Sequence, residues 1–274
     1  MAVASGHVPP TRGVVGLLTA THPGPALAVS VVAGLLAFGE DAPPSTVALV
    51  VAAVLAGQLS IGWCNDLVDL TRDRQVGRAD KPLATGAVDV RTVRVACAVA
   101  VALVVPLSLA CGVLAGTVHL ACVACAWAYN LGLKATVWSW LPYALAFGGL
   151  PAFVALAADA SPVWWTSAAG ALLGVGAHLV NALPDLDDDR ATGVVGLPHR
   201  LGAAASRRLA VTVLSAATLL LAWQAPSLAA LGRVLVVAVA LVLAAVALRS
   251  AGRTPFRAVV VLALVDVAVL VVAR

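Results

Sequence analysis

Apolar runs of about 20 residues recur along this chain with few charges inside them, and only a bilayer accommodates so many of them in one polypeptide. Nine such runs can be marked: Val14–Phe38, Ser45–Cys64, Val95–Gly112, Val113–Leu133, Val137–Ala158, Val163–Leu183, Leu209–Ala225, Leu228–Leu248 and Ala258–Ala273. Gly112 and Gly116 divide the long block 95–133 into two of them. Hydrophobic residues make up 62% of the chain and charged residues 11%, where soluble domains carry about 25%. The mean hydropathy is +1.01. A transmembrane barrel needs alternating segments of about 10 residues, and none dominate here. The expected architecture is therefore all-α: a polytopic membrane protein of about nine transmembrane helices around a central cavity. The polar start with Pro9, Pro10 and Arg12 has no convincing signal-peptide pattern.

The basic residues orient these helices. With the N-terminus in the cytoplasm, 15 of the 17 Lys and Arg residues fall on the inner side, and only Arg233 and Arg274 fall outside. That bias satisfies the positive-inside rule. It puts the C-terminus outside and both charged loops, 65–94 and 184–208, at the cytoplasmic face. The net charge of +4 is thus a topology signal, and nucleic acid is not an expected partner. Abundant Ala and Val, with two lysines against 15 arginines, point to a GC-rich bacterial genome and hence a bacterial plasma membrane. The five cysteines lie in or beside apolar runs. The CxxC of Cys122 and Cys125 lacks a second ligand pair, so all five read as membrane-helix thiols.

The chemistry is concentrated in the two loops. Asn65, Asp69 and Asp73 are spaced i, i+4, i+8, which places them on one face if the preceding helix continues. Hard divalent ions such as Mg2+ take oxygen ligands of this kind. Arg72, Arg74, Arg78 and Lys81 follow closely and suit phosphate oxygens. Asn181, Asp185 and Asp189 repeat the spacing after a later run. Two such ladders on one side of the membrane suit two metal ions bridged by a diphosphate. The four-run interval between the loops suggests two pseudo-repeated halves, roughly 14–133 and 137–274, with metal motifs at 65–73 and 181–189. Asp66 lies off the main face and has a supporting role; Asp187 and Asp188 read as solvated.

The motif Asn65-Asp66-x-x-Asp69-x-x-x-Asp73, followed by Arg78-x-x-Lys81-Pro82-Leu83-x-x-Gly86, resembles the first signature of UbiA-type intramembrane prenyltransferases. Asp185-Leu186-Asp187-Asp188-Asp189 with Gly193 resembles the second, and Tyr129-Asn130 with Leu133-Lys134 is similar to the family pattern at the fourth run's end. Val194 and Val195 stand where the family usually has a lysine, which leaves Arg190 or Arg200 to replace it. Asn181 is closer to the pattern of enzymes that act on naphthoates than to those that prenylate 4-hydroxybenzoate.

The resemblance implies one membrane-embedded domain over 1–274 and Mg2+-dependent transfer of an isoprenoid from a prenyl diphosphate to a small-molecule or lipid acceptor, through an allylic carbocation. In that reading Asp69, Asp73, Asp185 and Asp189, with Asn65 and Asn181, hold the metal. Arg78 and Lys81 bind the diphosphate, with Arg72, Arg74 and Lys134 as further candidates. Tyr129 can face the cation with its ring or sit in the interfacial aromatic belt. His178, one turn before Asn181, is a candidate pocket residue. His22 and His119 read as packing residues, the seven tryptophans as interface anchors, and Asp266 as an acid facing the bundle interior.

The same motifs serve a membrane terpene cyclase, which ionises the same substrate and lets the cation close on itself. A cation transporter is the remote alternative, because acidic clusters at one membrane face beside basic groups differ from a midplane transport site. A CDP-alcohol phosphotransferase would need a DGxxAR start, which is absent.

Overall fold

The computed structural model describes residues 10–250 and 254–272. Arg253, Ala273, Arg274 and Pro9 lie outside these, as does the side chain of Arg12. The described residues are helical throughout, without strands. The long helices are α1 (Pro10–Thr19), α2 (Pro23–Gly39), α3 (Pro44–Gln75), α5 (Val90–Ala110), α6 (Val113–Leu131), α7 (Leu141–Ala157), α8 (Trp164–Ala182), α10 (Leu197–Gln224), α11 (Ala230–Arg249) and α12 (Thr254–Val272). Two short helices, α4 (Pro82–Thr85) and α9 (Leu186–Ala191), lie in the charged loops.

Each apolar run has its helix, but six of these helices are long and apolar enough to cross a bilayer, or seven if α1 and α2 count as one broken span. The expected nine is met only in part, and the residues explain why. The first run is broken at His22, which adopts a left-handed conformation (φ 54°), so that α1 and α2 meet at 58°. Helix α7 has 17 residues and contains Pro151. Helix α8 starts with two tryptophans and carries Thr166, Ser167, His178 and Asn181, which lower its hydropathy.

Local signals set several boundaries. Asp89 accepts hydrogen bonds from the backbone N–H groups of Arg91 and Thr92 and so caps α5. Gly112 (φ 105°) separates α5 from α6, at the division expected from the sequence. The expected run Leu209–Ala225 is preceded by further helix back to Leu197, with a kink at Gly202 (φ 76°).

Helices α2, α3, α6 and α7 enclose a cavity that the end of α8 also reaches through Asn181, while α10 and α12 pack outside it and α12 returns to α2. The main apolar core joins Leu36, Val50, Phe153, Leu179, Leu214, Leu221 and Leu262. A smaller core between α3 and α5 holds Trp63, Leu83, Val93 and Cys97. Helices α7 and α8 approach backbone to backbone. A Cβ at Gly170 or Gly174 would overlap the carbonyl oxygen of Phe147 or Tyr143, so only glycine permits this spacing. All five cysteines are free. Trp63 and Trp165 are buried rather than interfacial, and Trp63 donates to the Leu17 carbonyl at 3.0 Å. Asp266 is fully buried and accepts from the Thr218 hydroxyl, not from a basic residue.

Candidate active site

Helix α3 runs 32 residues, about 48 Å at 1.5 Å per residue, and so carries Asn65, Asp69 and Asp73 beyond its apolar half as one continuous face. The second ladder differs. Helix α8 stops at Ala182, and Asp185 instead precedes the short α9. Pro184 lacks the N–H that a continuing helix would need, so Asn181, Asp185 and Asp189 do not share one helical face.

The two charged loops nevertheless meet. Arg72 donates to Asp69 Oδ2 at 2.9 Å, and its guanidinium lies 3.9 Å from Asp73 Oδ1 and 3.7 Å from Asp189 Oδ1. One cation thereby joins the two acidic stretches. The other Asp69 oxygen accepts from Lys134. Asn65 donates to Asp69 Oδ2 at 3.2 Å and to Asn130 Oδ1 at 3.3 Å, while Asn130 donates to the Ile61 carbonyl at 3.0 Å. Asn130 thus fixes Asn65 from the neighbouring helix.

Asp66 is 1% exposed and accepts from Lys81 at 2.6 Å. His22 Nε2 lies 3.0 Å from the same carboxylate oxygen and 2.9 Å from Lys81 Nζ. Arg78 is held bidentately by Asp80, with both contacts at 2.9 Å, and so belongs to the rim rather than to the ladder. Their pairing lowers the Asp80 carboxyl to about 2. Arg74 is exposed.

Across the site, His199 Nδ1 accepts from the Gly196 N–H at 3.1 Å, so its Nε2 carries the proton and donates to Asp189 Oδ2 at 3.2 Å. Burial pushes the Asp189 carboxyl above its ordinary range, against the opposing pull of Arg72 and His199. Arg190 donates to the His199 carbonyl, and Arg200 is exposed; neither stands in the ladder as the missing lysine would. Asp185 makes none of these contacts.

Below this polar roof lies a cavity of about 340 Å3, at the small end of the ~300–1,000 Å3 of ligand pockets. Asn65, Asn130, Asn181 and His22 stand in its polar wall, while Val54, Val123, Ala146, Phe147 and Leu150 line its apolar part. Tyr129 and Tyr143 face it and pack edge to face, with ring centroids 5.1 Å apart. His178 does not reach it. That ring is 2% exposed, sits behind the two tyrosines, and has Nε2 3.0 Å from the Ser139 hydroxyl. His22, His119 and Tyr143 do line the cavity. His119 also packs as expected, buried, stacked on Phe153 at 4.6 Å and with Nδ1 2.7 Å from the Ser108 hydroxyl, whereas His22 does not. Nothing in their spacing marked them, because the cavity is assembled from helices far apart in the chain. His199 was equally silent, although its place three residues after Gly196 suits a helix start.

Among the described residues no group of three His, Cys, Asp or Glu side chains is gathered tightly enough to hold a metal by itself. The donor set still fits Mg2+. Asp69, Asp73 and Asp189 gather about one guanidinium, an excess of carboxylate over that cation, with the amide oxygen of Asn65 alongside.

Residues 26–264 match the model of the UbiA prenyltransferase family. The Bacteriochlorophyll synthase 33 kDa chain of Cereibacter sphaeroides is 32% identical over 230 residues, covering 74% of this chain and 72% of that one. Among solved structures, a UbiA homologue from Archaeoglobus fulgidus bound to GPP and Mg2+ superposes with a TM-score of 0.73 at 17% identity, over 94% of this chain and 100% of that one. A UbiA homologue from Aeropyrum pernix gives 0.71 at 21% identity, over 90% and 94%. The chain belongs to the UbiA prenyltransferase family and is a multi-pass membrane prenyltransferase.

Proposed function

We propose that this enzyme ionises a prenyl diphosphate with Mg2+ and transfers the isoprenoid to a hydrophobic or aromatic acceptor inside the membrane. The observation that carries this reading is the junction of a charged roof with an apolar cavity, Asn65 belonging to both. The A. fulgidus neighbour with GPP and Mg2+ supports it through the shared fold.

In this reading Asn65, Asp69 and Asp73 hold Mg2+ on one side, and Asn181, Asp185 and Asp189 on the other. The metal supplies charge neutralisation of the diphosphate leaving group. Lys134 and Arg72 turn their charge toward the diphosphate oxygens, which are better partners for an ammonium and a guanidinium than carboxylates shared with a divalent ion, and Lys81 joins them from its place beside Asn65. Cleavage of the allylic C–O bond leaves the electron pair on the diphosphate and the cation in the cavity. Tyr129 and Tyr143 present aromatic surface there, and the apolar walls exclude water. Arg78, held by Asp80, steers anions at the rim. We assign the site to the cytoplasmic face of a bacterial plasma membrane on the distribution of Lys and Arg.

The test is purified protein in nanodiscs with Mg2+ and prenyl diphosphates of rising length, each with and without an acceptor panel, with products read by mass spectrometry. The panel includes quinone precursors, glycerol-phosphate lipids and, because of the bacteriochlorophyll synthase relative, bacteriochlorophyll precursors. Mg2+-dependent diphosphate release with a prenylated acceptor supports the proposal. A cyclic hydrocarbon formed without acceptor supports cyclisation by the same site. No diphosphate release from any substrate refutes both.

A further inference from the structure

The triangle of His22, Asp66 and Lys81 cannot satisfy all its contacts at once. His22 Nε2 is 3.0 Å from Asp66 Oδ1 and 2.9 Å from Lys81 Nζ, and Lys81 is itself 2.6 Å from the same Asp66 oxygen. A neutral imidazole nitrogen is a donor or an acceptor, never both. If Nε2 accepts from Lys81, two lone pairs face each other between His22 and Asp66, and the ring proton sits on Nδ1. If Nε2 carries the proton and donates to Asp66, the Lys81 ammonium meets an N–H, and Nδ1 becomes a free lone pair. The second form is disfavoured only by Lys81.

The position of the ring gives this choice a use. His22 sits at the break between α1 and α2, where its left-handed backbone turns the chain, and its side chain is 39% exposed in the wall of the cavity. Asn65, at the edge of the metal ladder, lines the same cavity and lies 3.4 Å from Lys81. Asp66 beneath it is almost fully buried, and its second oxygen has no partner among the described residues. A buried carboxylate holding one imidazole nitrogen while the other faces substrate is the arrangement that orients a general base.

We infer that His22 is the general base of the transfer reaction and that the arriving diphosphate switches it on by drawing Lys81 away from Asp66. The inference rests on the function proposed above. Once Lys81 turns to the diphosphate, the Nε2–H···Asp66 form is the only one without a clash, and Nδ1 is left as the base. The acceptor nucleophile, an O–H or an activated C–H, forms its bond to the allylic carbon. The proton it loses goes to Nδ1, Asp66 stabilises the resulting imidazolium, and the diphosphate departs with the electrons of the broken C–O bond.

Two measurements test this. The first uses protein labelled with 15N-histidine in nanodiscs, with Mg2+ and inorganic diphosphate as the probe and His22→Gln to assign the signal. The His22 Nδ1 resonance should move from the protonated to the unprotonated position when the probe binds, and Lys81→Met should hold it there without probe. Bound probe with an unchanged tautomer overturns the inference. The second measurement separates ionisation from transfer. In His22→Gln, the fraction of released diphosphate that is matched by transfer to the acceptor used by the wild type should fall about 10²–10⁴-fold, the usual worth of a general base, with prenyl alcohol appearing instead. Asp66→Asn should shift the products the same way more weakly, and it supplies the reading if His22→Gln fails to fold. Equal loss of release and transfer in the folded variants, or unchanged transfer, overturns the inference. Wild-type protein that binds no Mg2+–diphosphate and releases none from GPP fails the parent reading instead.

Discussion

Asp69→Asn removes one charge from the most heavily used carboxylate in the site. Its two oxygens accept from three donors: Lys134 on one, and Arg72 at 2.9 Å and Asn65 at 3.2 Å on the other. A carboxamide keeps a single oxygen, so its NH2 must point at a donor. If the oxygen serves Lys134, the NH2 faces Arg72 and Asn65; if it serves those two, the NH2 faces Lys134. Either way one cation loses its partner. A charge-assisted hydrogen bond contributes about 1.5–3 kcal/mol, and breaking a buried pair costs about 3–5 kcal/mol. Arg72 is 23% exposed and keeps Asp73 and Asp189 nearby, so the smaller range applies, about 1.5–3 kcal/mol. The variant should therefore melt at a lower temperature in detergent, and Mg2+ with inorganic diphosphate should protect it less than the wild type. Catalysis should suffer more than folding. Loss of a carboxylate that would hold the charge-neutralising metal should lower turnover about 10²–10³-fold, the worth of one electrostatic stabiliser. The assay is Mg2+-dependent diphosphate release from a prenyl diphosphate at a temperature where the variant is folded. Wild-type turnover in the folded variant would refute the metal-ladder reasoning, and an unchanged melting temperature would refute the donor count.

Other perturbations probe the surroundings. Gly174→Ala puts a methyl group into the Tyr143 carbonyl and within 2.8 Å of the Phe147 Cβ, so α7 and α8 must separate; a loss of about 1–3 kcal/mol is expected, seen as a lower melting temperature. Gly57→Leu projects toward Val123, whose Cγ2 already lies 2.9 Å from the first added carbon, about 12 Å along α3 from Asn65. It should favour shorter prenyl diphosphates over longer ones in a competition assay, and an unchanged ratio would place the tail elsewhere. Asp80, depressed to about 2 by Arg78, contributes stability that is complete above its unfolded value near 3.9 and is lost as pH falls toward 2. Because that carboxylate is largely exposed, the contribution is a fraction of 1 kcal/mol. Asp80→Asn should flatten the melting temperature between about pH 4 and pH 2, read by scanning fluorimetry.

The residues differ in how much they disclosed. Apolar run length gave the helix within each run, closely at Val113–Leu131, but not the polar extensions of α3 to Gln75 and of α10 back to Leu197, because burial in lipid constrains only the apolar part. The spacing of Asn65, Asp69 and Asp73 predicted one helical face and α3 supplies it, since nothing between them breaks a helix. The equal spacing of Asn181, Asp185 and Asp189 misled, because Pro184 interrupts that helix and the meeting of the loops depends on Arg72 instead. His178 shared a face with Asn181 on paper, yet Tyr129 and Tyr143 stand between it and the cavity. His22, His119 and His199 could not be found by periodicity. His22 takes its role from Asp66, 44 residues away, and His119 stacks on Phe153 of another helix, while His199 is set by the turn that brings it to Gly196 and Asp189.

The length of α3 makes it a ruler. About 48 Å of continuous helix exceeds the ~30 Å hydrocarbon layer, so the height of the carboxylates above the lipid tails is set by rigid geometry rather than by a pliable loop. Lipids of longer or shorter chain would raise or lower the headgroup plane against that fixed mark, and a helix meets such mismatch by tilting. Tilt would change where a lipid-borne acceptor enters relative to the ladder. Turnover should then pass through an optimum as acyl length varies in nanodiscs, making membrane thickness itself a parameter of the reaction.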